Sequence, residues 1–402
     1  MSSITGNGTS HIYYNITLTN NDTTDTGNFP NVTFTETRNT PFLNCPEDYN
    51  MSVIRFALDT PTLPIMVCQP IVGSTDPLNL IYGVKVGYRV PGGAVQVEYS
   101  AAENLRFTPP TDLEVPPPVP ITQQDIQNPY YNMYSYNAFI LMLNTAVLKA
   151  YTAVIEQYNK AQPTPITDTV GPYFSWDTGG NLAILTMPQD LVISGGPLAT
   201  TQNDGLYISF NSSLYNLFSS FNAYRERDLV TGGIFYELEI DTGPSAVISS
   251  KVVTEGSATT TVYDYQIIQE YTTCPLWSPI SSIVFTTSML PINPELQAAP
   301  IVFNDNQVFS SVGTNANLTT VLTDFIVPLT TGTEYKPSLN YTPAGEYRLV
   351  SLFGRSPASS IQVNVFYKNR FGTLVPLTLG FGCSASIKIM FRRKDYGNVI
   401  VE

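Results

Sequence analysis

The sequence predicts a mainly β chain made of antiparallel β-sandwich units, two of them by its length, with helices inserted at about 135–160 and 212–222. Three observations lead there. Short runs of β-branched and aromatic residues alternate with polar ones and are punctuated by Gly, Pro, Asn and Asp. Two stretches exchange that period of two for spacings of three and four. Hydrophobic residues make up 43% of the chain and charged residues only 13%, against about 25% charged in an average soluble domain. Asn, Thr, Ser, Gln and Tyr must therefore supply the polar surface.

Residues 1–40 are rich in Asn and Thr apart from HIYYNITL, and read as a polar N-terminal arm with one strand laid on a neighbour. MSVIRFAL and LPIMVCQPIV follow as strands. In LIYGVKVGYRVPGGAVQVEYSA, Val84, Val86, Tyr88 and Val90 alternate with Lys85, Gly87 and Arg89. Pro91-Gly92-Gly93 then turns the chain into Val95, Val97 and Tyr99, a hairpin. Proline density across 108–129 forbids both helix and central strand, so this stretch is an extended connector.

From Tyr136 the period changes. Tyr136, Ile140, Leu143, Val147, Tyr151, Val154 and Tyr158 mark an amphipathic helix capped by Ser135 or Asn137. A shorter helical patch follows Asn211-Ser212, with Leu214, Leu217, Phe218 and Phe221 on one side. Both stripes read as core-facing. The remainder returns to strands, among them SIQVNVFYKNRFGTLVPL, with a hairpin turn at Asn369-Arg370-Phe371-Gly372. In the closing CSASIKIMFRRK, Ala385, Ile387, Ile389 and Phe391 alternate with Ser384, Ser386, Lys388 and Arg392. The expected division is an arm over 1–40, a first sandwich over 41–200 carrying the connector and the long helix, and a second over 201–402.

The formal net charge of −13 argues against a nucleic-acid binder. The one basic run, Arg392-Arg393-Lys394, reads as the solvated end of a strand. Cys45, Cys68, Cys274 and Cys383 are widely spaced, as suits buried thiols better than a disulfide framework or a zinc site. Eight N-x-S/T sequons (Asn7, Asn15, Asn21, Asn31, Asn50, Asn211, Asn317 and Asn340) are what an Asn- and Thr-rich chain spells by composition. The N-terminus has the pattern of no export signal. No uninterrupted apolar run reaches the roughly 18 residues of a membrane span.

The tripeptide Asp-Thr-Gly occurs at Asp25, Asp177 and Asp241, more often than composition scatters it by chance. After apolar residues it is how the catalytic loop of an aspartic protease reads, and Asp177 with Asp241 could supply the carboxylate pair. That mechanism needs two equivalent lobes whose carboxylates share a proton. The stretch between Asp177 and Asp241 is too short for a complete lobe, so turn-making is the better account, with Asp opening and Gly closing each turn. Phe174 and Trp176 lead into the second of these turns, with Leu182 and Ile184 leading out into a sandwich core. His11 is the only histidine, which leaves Ser-His-Asp and Cys-His systems without a base. Glu237 and Glu239 share a strand face, as a retaining glycosidase requires, but read as its solvent side, with Tyr236, Leu238 and Ile240 turned inward. No catalytic, cofactor-binding or metal-ligating residues are therefore expected.

The strand-and-hairpin blocks, the helix over 136–158, the patch SSLYNLFSSF and the closing strand CSASIKIMFRRK together resemble viral jelly-roll capsid proteins. In particular they resemble the double jelly-roll coat proteins of icosahedral DNA viruses, while the proline-rich stretch and polar N-terminus suit a minor or vertex capsid protein of such a particle equally. The resemblance implies a structural protein of the virion, assembled inside the host cell, associating with itself as a homotrimer and with other capsid proteins. It carries over no residue-level site. A β-rich receptor- or glycan-binding spike stays open as the alternative, and an aspartic protease using Asp177 and Asp241 as the remoter one.

Overall fold

The computed structural model describes residues 11–21, 29–71, 73–91, 97–108, 130–167, 170–193, 204–227, 232–255, 258–297, 301–304, 307–310, 317–327, 338–343, 348–369 and 374–394. Outside them lie all of the expected connector 108–129 but Thr108, all of the expected turn 91–93 but Pro91, all of the expected turn 369–372 but Asn369, and also Asn7 and the Asp25 tripeptide. Two compact units form: Met1–Pro64 with Pro279–Glu402, and Ile65–Ser278.

The division expected near residue 200 is corrected by strand pairing. Asp204–Asn211 lies against Asn79–Arg89, with Ile208 opposite Val86, so the two fall in one sheet. Tyr49–Asp59 instead pairs with Ser384–Arg393 from the far end of the chain. The polar arm is corrected too. His11–Thr19 and Thr33–Thr37 are integral strands of the first unit, paired with Ser384–Arg393 and Ser360–Asn369. Their alternation buries Tyr14 and Phe34, which anchors them despite their polar neighbours.

The first unit is an antiparallel sandwich. One sheet runs in the order His11–Thr19, Ser384–Arg393, Tyr49–Asp59, Ser338–Tyr341, and the other Thr33–Thr37, Ser360–Asn369, Ile280–Thr286, Val321–Phe325. Their inner faces meet through Phe56, whose ring lies edge-on to Phe285 at 5.1 Å and to Phe34 at 6.4 Å. Ala385, Ile387, Ile389 and Phe391 are buried as expected. Ser360–Asn369 alternates without a break, with Ile361, Val363, Val365, Tyr367 and Asn369 inward. Leu374–Pro376 folds back along it, as the expected hairpin requires.

The second unit builds its core differently. A sheet ordered Ala223–Arg227, Ile234–Leu238, Asp204–Asn211, Asn79–Arg89, Glu98–Arg106 turns Val84, Val86, Tyr88, Leu206, Ile208 and Phe210 into the same core as the helix Tyr136–Ala161. The helix buries Phe139, Ile140, Met142, Leu143, Ala146, Val147, Ala150, Tyr151 and Val154. Ser135 caps it, accepting from Ala138 N. By length and composition alone this helix could cross a bilayer, with a mean hydropathy of 1.7 over 18 residues, but half of that window is buried within the protein. The second expected helix is shorter than its apolar patch, Ser212–Leu217. Asn211 caps it, accepting from Leu214 N, and Phe218 and Phe221 fill the core from the turn that follows.

A second sheet, Val247–Glu255, Ala258–Ile268, Leu182–Pro188, Tyr173–Asp177, supplies Phe174, Leu185 and Met187 to that core. Here the outgoing flank differs from expectation: Ala183, Leu185 and Met187 are buried, while Leu182 and Ile184 are half-buried. Asn181 takes a positive φ of 54° and extends the turn. Shifting a strand's start by one residue exchanges its faces.

Candidate functional site

The Asp-Thr-Gly loops are the first place where catalysis could have been built, and the geometry assigns both described ones to turns. Asp177 Oδ1 and Oδ2 accept from Gly179 N and Gly180 N, each at 3.0 Å. Asp241 accepts from Gly243 N at 2.8 Å and from Ser245 Oγ at 2.9 Å. Both side chains are exposed, and each satisfies donors of its own loop. A carboxylate engaged this way stabilises a turn.

The glutamate pair separates in a way that sequence alternation missed. Glu239 is exposed and accepts from Tyr224 Oη at 2.7 Å, which raises the Tyr224 phenol to about 12. Glu237, expected on the solvent side, is only 3% exposed. Its two oxygens accept from Arg89 Nη1 and Nη2 at 2.8 and 2.5 Å, a fork-to-fork pair. Arg89 is itself 6% exposed and lies 3.9 Å over the Tyr207 ring. Tyr207 Oη donates to Glu98, which also stands 3.6 Å from Lys85 Nζ. Burial alone would lower the Arg89 pKa, but its hydrogen bond to Glu237 and that carboxylate's charge outweigh it and raise it. Burial pushes the Glu237 carboxyl up against the pull of Arg89, and pushes the Tyr207 phenol up, with Glu98 adding to the shift.

This cluster is assembled by register. Tyr207 stands opposite Gly87, and Ser209 opposite both Lys85 and Glu237. A Cβ on Gly87 would meet the Tyr207 ring at 2.2 Å, so only glycine lets the ring lie flat there. A cavity of about 230 Å³ runs beside it, lined by Tyr207, Tyr224, Glu237, Glu239 and Asp241. The cluster's one deeply buried carboxylate is tied to a guanidinium and its phenol to a carboxylate, which fixes a specific geometry. Arg89 falls with Lys85 and Gly87 on the side of its strand opposite Val84, Val86 and Tyr88, so no local pattern marked it for burial.

The other expected features fall into place on strands. His11 opens its strand opposite Arg392, stacked 6.1 Å from Tyr13. Arg392 and Arg393 end theirs, and Lys394 Nζ donates to Leu352 O at 2.9 Å. All four cysteines are free thiols, three of them buried. Among the sequon asparagines, Asn15 accepts from Arg55, Asn50 from Ser351, and Asn211 caps its helix. Among the described residues no group of His, Cys, Asp and Glu is arranged to hold a metal ion.

The chain is thus a mainly antiparallel β protein of the jelly-roll type, a two-sheet sandwich interrupted by a second β unit. The family described as Sputnik minor capsid protein V18/19 matches residues 12–393, and the chain belongs to it. It is 28% identical over 136 residues to structural protein V19 of Sputnik virophage, and 30% identical over 120 residues to V18 of the same virophage. Those stretches take 34% and 28% of this chain, and span 59% of V19 and 67% of V18. A chain from the cryo-EM structure of the Sputnik virophage superimposes with a TM-score of 0.74 at 21% identity, covering 97% of this chain and all of that one. The mavirus penton protein does so with a TM-score of 0.56 at 15% identity, covering 95% and 99%. The protein is thus a structural component of a virus capsid, located in the virion.

Proposed function

We propose that this chain forms the vertices of its shell, five copies closing a ring that contacts other capsid proteins around it. One observation carries the reading. A sandwich closed by strands from both chain ends, with the unit 65–278 inserted in it, follows a penton protein over 95% of its length. Membership in a minor capsid family supports the same place, since vertices use fewer copies than facets. The inserted unit leaves and re-enters the sandwich between Pro64 and Pro279, so it can be carried without disturbing the sandwich's own strand pairing. Catalysis forms no part of this role, in keeping with the turn-bound state of Asp177 and Asp241.

A competing self-association is the trimer of double jelly-roll coat proteins. Native mass spectrometry of the purified protein separates the two. Five times the 44.2 kDa chain supports the vertex reading. A trimer, or a monomer that persists at high concentration, overturns it. A monomer that binds glycans or cells would point to the spike instead.

A further inference from the structure

The sandwich formed by 1–64 and 279–402 carries a sheet face whose positive charges the fold leaves unanswered. Antiparallel register sets Asn15, Lys388 and Arg55 side by side across three strands. Arg392 follows on the same face of its strand, opposite His11. Arg55 Nη2 donates to Asn15 Oδ1 at 2.9 Å, and Lys388 Nζ stands 5.1 Å from the ring of Tyr13, which is 53% exposed. Among the described residues none of Arg55, Lys388 and Arg392 forms an ion pair. Asp59, at the far end of the face, accepts instead from Ser384 N and Oγ. Elsewhere cations are answered locally, as in Arg106–Asp76, Lys149–Glu103 and Arg355–Glu47.

The inserted unit shows the complementary surplus. Asp177, Glu239, Asp241 and Glu270 are exposed and form no ion pair among the described residues. Backbone bonds from Glu270 N to Ser220 O and from Glu239 N to Asn222 O gather Glu239, Asp241 and Glu270 around residues 220–222. Gln269 Oε1 accepts from Ala183 N, in the hairpin that begins at Asp177.

We propose that the sheet face bearing Arg55, Lys388 and Arg392 is a contact surface for a second copy of this chain, which meets it with the carboxylates around Glu239 and Glu270. Copies carrying a net charge of −13 repel one another at long range. A ring of more than two copies is closed by head-to-tail contacts, in which two different surfaces of the same chain meet. A basic face opposite an acidic one turns that repulsion into local attraction and sets which surfaces meet. Nucleic acid is the weaker occupant: three cations release few counterions from a phosphate chain, and the remaining surface repels it. The inference rests on the self-association in the proposed function but not on the number of copies.

The test is association of the full chain, followed by sedimentation velocity at 0.05 and 0.3 M salt. Wild type should associate, and more weakly at high salt, because exposed pairs are screened. Arg55→Glu with Lys388→Glu should weaken association at least tenfold. Adding Glu239→Lys and Glu270→Lys to that variant should restore it. Far-UV circular dichroism and the thermal midpoint show whether each variant is folded, and the four-fold variant serves as the control if the two-fold one is impaired. Unchanged association in the two-fold variant, or failure of the carboxylate reversals to rescue it, overturns the proposal. So does unchanged association with loss of binding to a DNA duplex, which would assign the face to nucleic acid. A wild type that never associates refutes the ring itself, and is told apart from these by the unmutated control.

Discussion

The two units solve the same problem with opposite materials. The sandwich of 1–64 and 279–402 covers a sheet with a sheet, and its inner faces are locked by aromatic edges such as Phe56 on Phe285. The unit 65–278 covers its larger sheet with a 26-residue helix and a second sheet. The first draws strands from both chain ends, so its core cannot close until the last strand arrives. The second is continuous in sequence. The polar groups are distributed just as unequally. The sandwich leaves its charges on an outer face, whereas the inserted unit buries Arg89 with Glu237. A capsid protein of this build combines a unit specified by long-range pairing with one specified largely within itself.

The largest test of that contrast removes residues 384–402. Ser384–Arg393 pairs on both sides, with His11–Thr19 and Tyr49–Asp59, so its loss should unfold the sandwich outright. The unit 65–278 should survive as a protease-resistant fragment, detected by limited proteolysis and mass spectrometry. If both units collapse together, they do not fold independently.

Next in size is the buried pair. Glu237→Ala leaves Arg89 buried, a loss of about 3–5 kcal/mol when no substitute partner exists. Glu98 and Glu226, at 3.9 and 3.7 Å from Arg89, should hold the loss near the lower end, about 3 kcal/mol. The double replacement Arg89→Met with Glu237→Leu should be less destabilising than Glu237→Ala alone. Urea denaturation followed by tryptophan fluorescence reads this, since Trp176 and Trp277 both lie in the inserted unit.

Asp177→Ala should lower the stability of that same unit by about 1 kcal/mol, because it removes an exposed acceptor of two turn amides. A larger loss would mean that the turn does more than close its hairpin.

The smallest effect concerns Tyr224. Its phenol, raised to about 12 by Glu239, sits above the usual value near 10 of the unfolded chain. The protonated form is thus favoured by folding. Its contribution is complete below pH 10 and is lost as pH rises through 12. Absorbance titration at 295 nm should find one tyrosine moved down toward 10 in Glu239→Gln; no movement would mean that the Tyr224–Glu239 bond does not persist in solution.

Much of this fold was legible in the sequence, and the reason is periodicity. Ala385, Ile387, Ile389 and Phe391 had to share a face whatever they packed against, and the spacing from Tyr136 to Tyr158 could only be a helix. The helix cap, narrowed by sequence to Ser135 or Asn137, and the turn role of Asp177 and Asp241 were equally local, since a side chain bonding amides two or three residues away needs no distant partner. What the tertiary structure alone decided is what spans long separations. Alternation says which residues share a face but not which strand lies beside it, so Asp204–Asn211 could not be assigned to Asn79–Arg89 from composition, nor the strand His11–Thr19 to Ser384–Arg393. Glu237 shows the same limit at a single residue. Its neighbours placed it in solvent, and only the meeting of its strand's neighbour with the strand carrying Arg89 supplied the guanidinium that lets a carboxylate be buried.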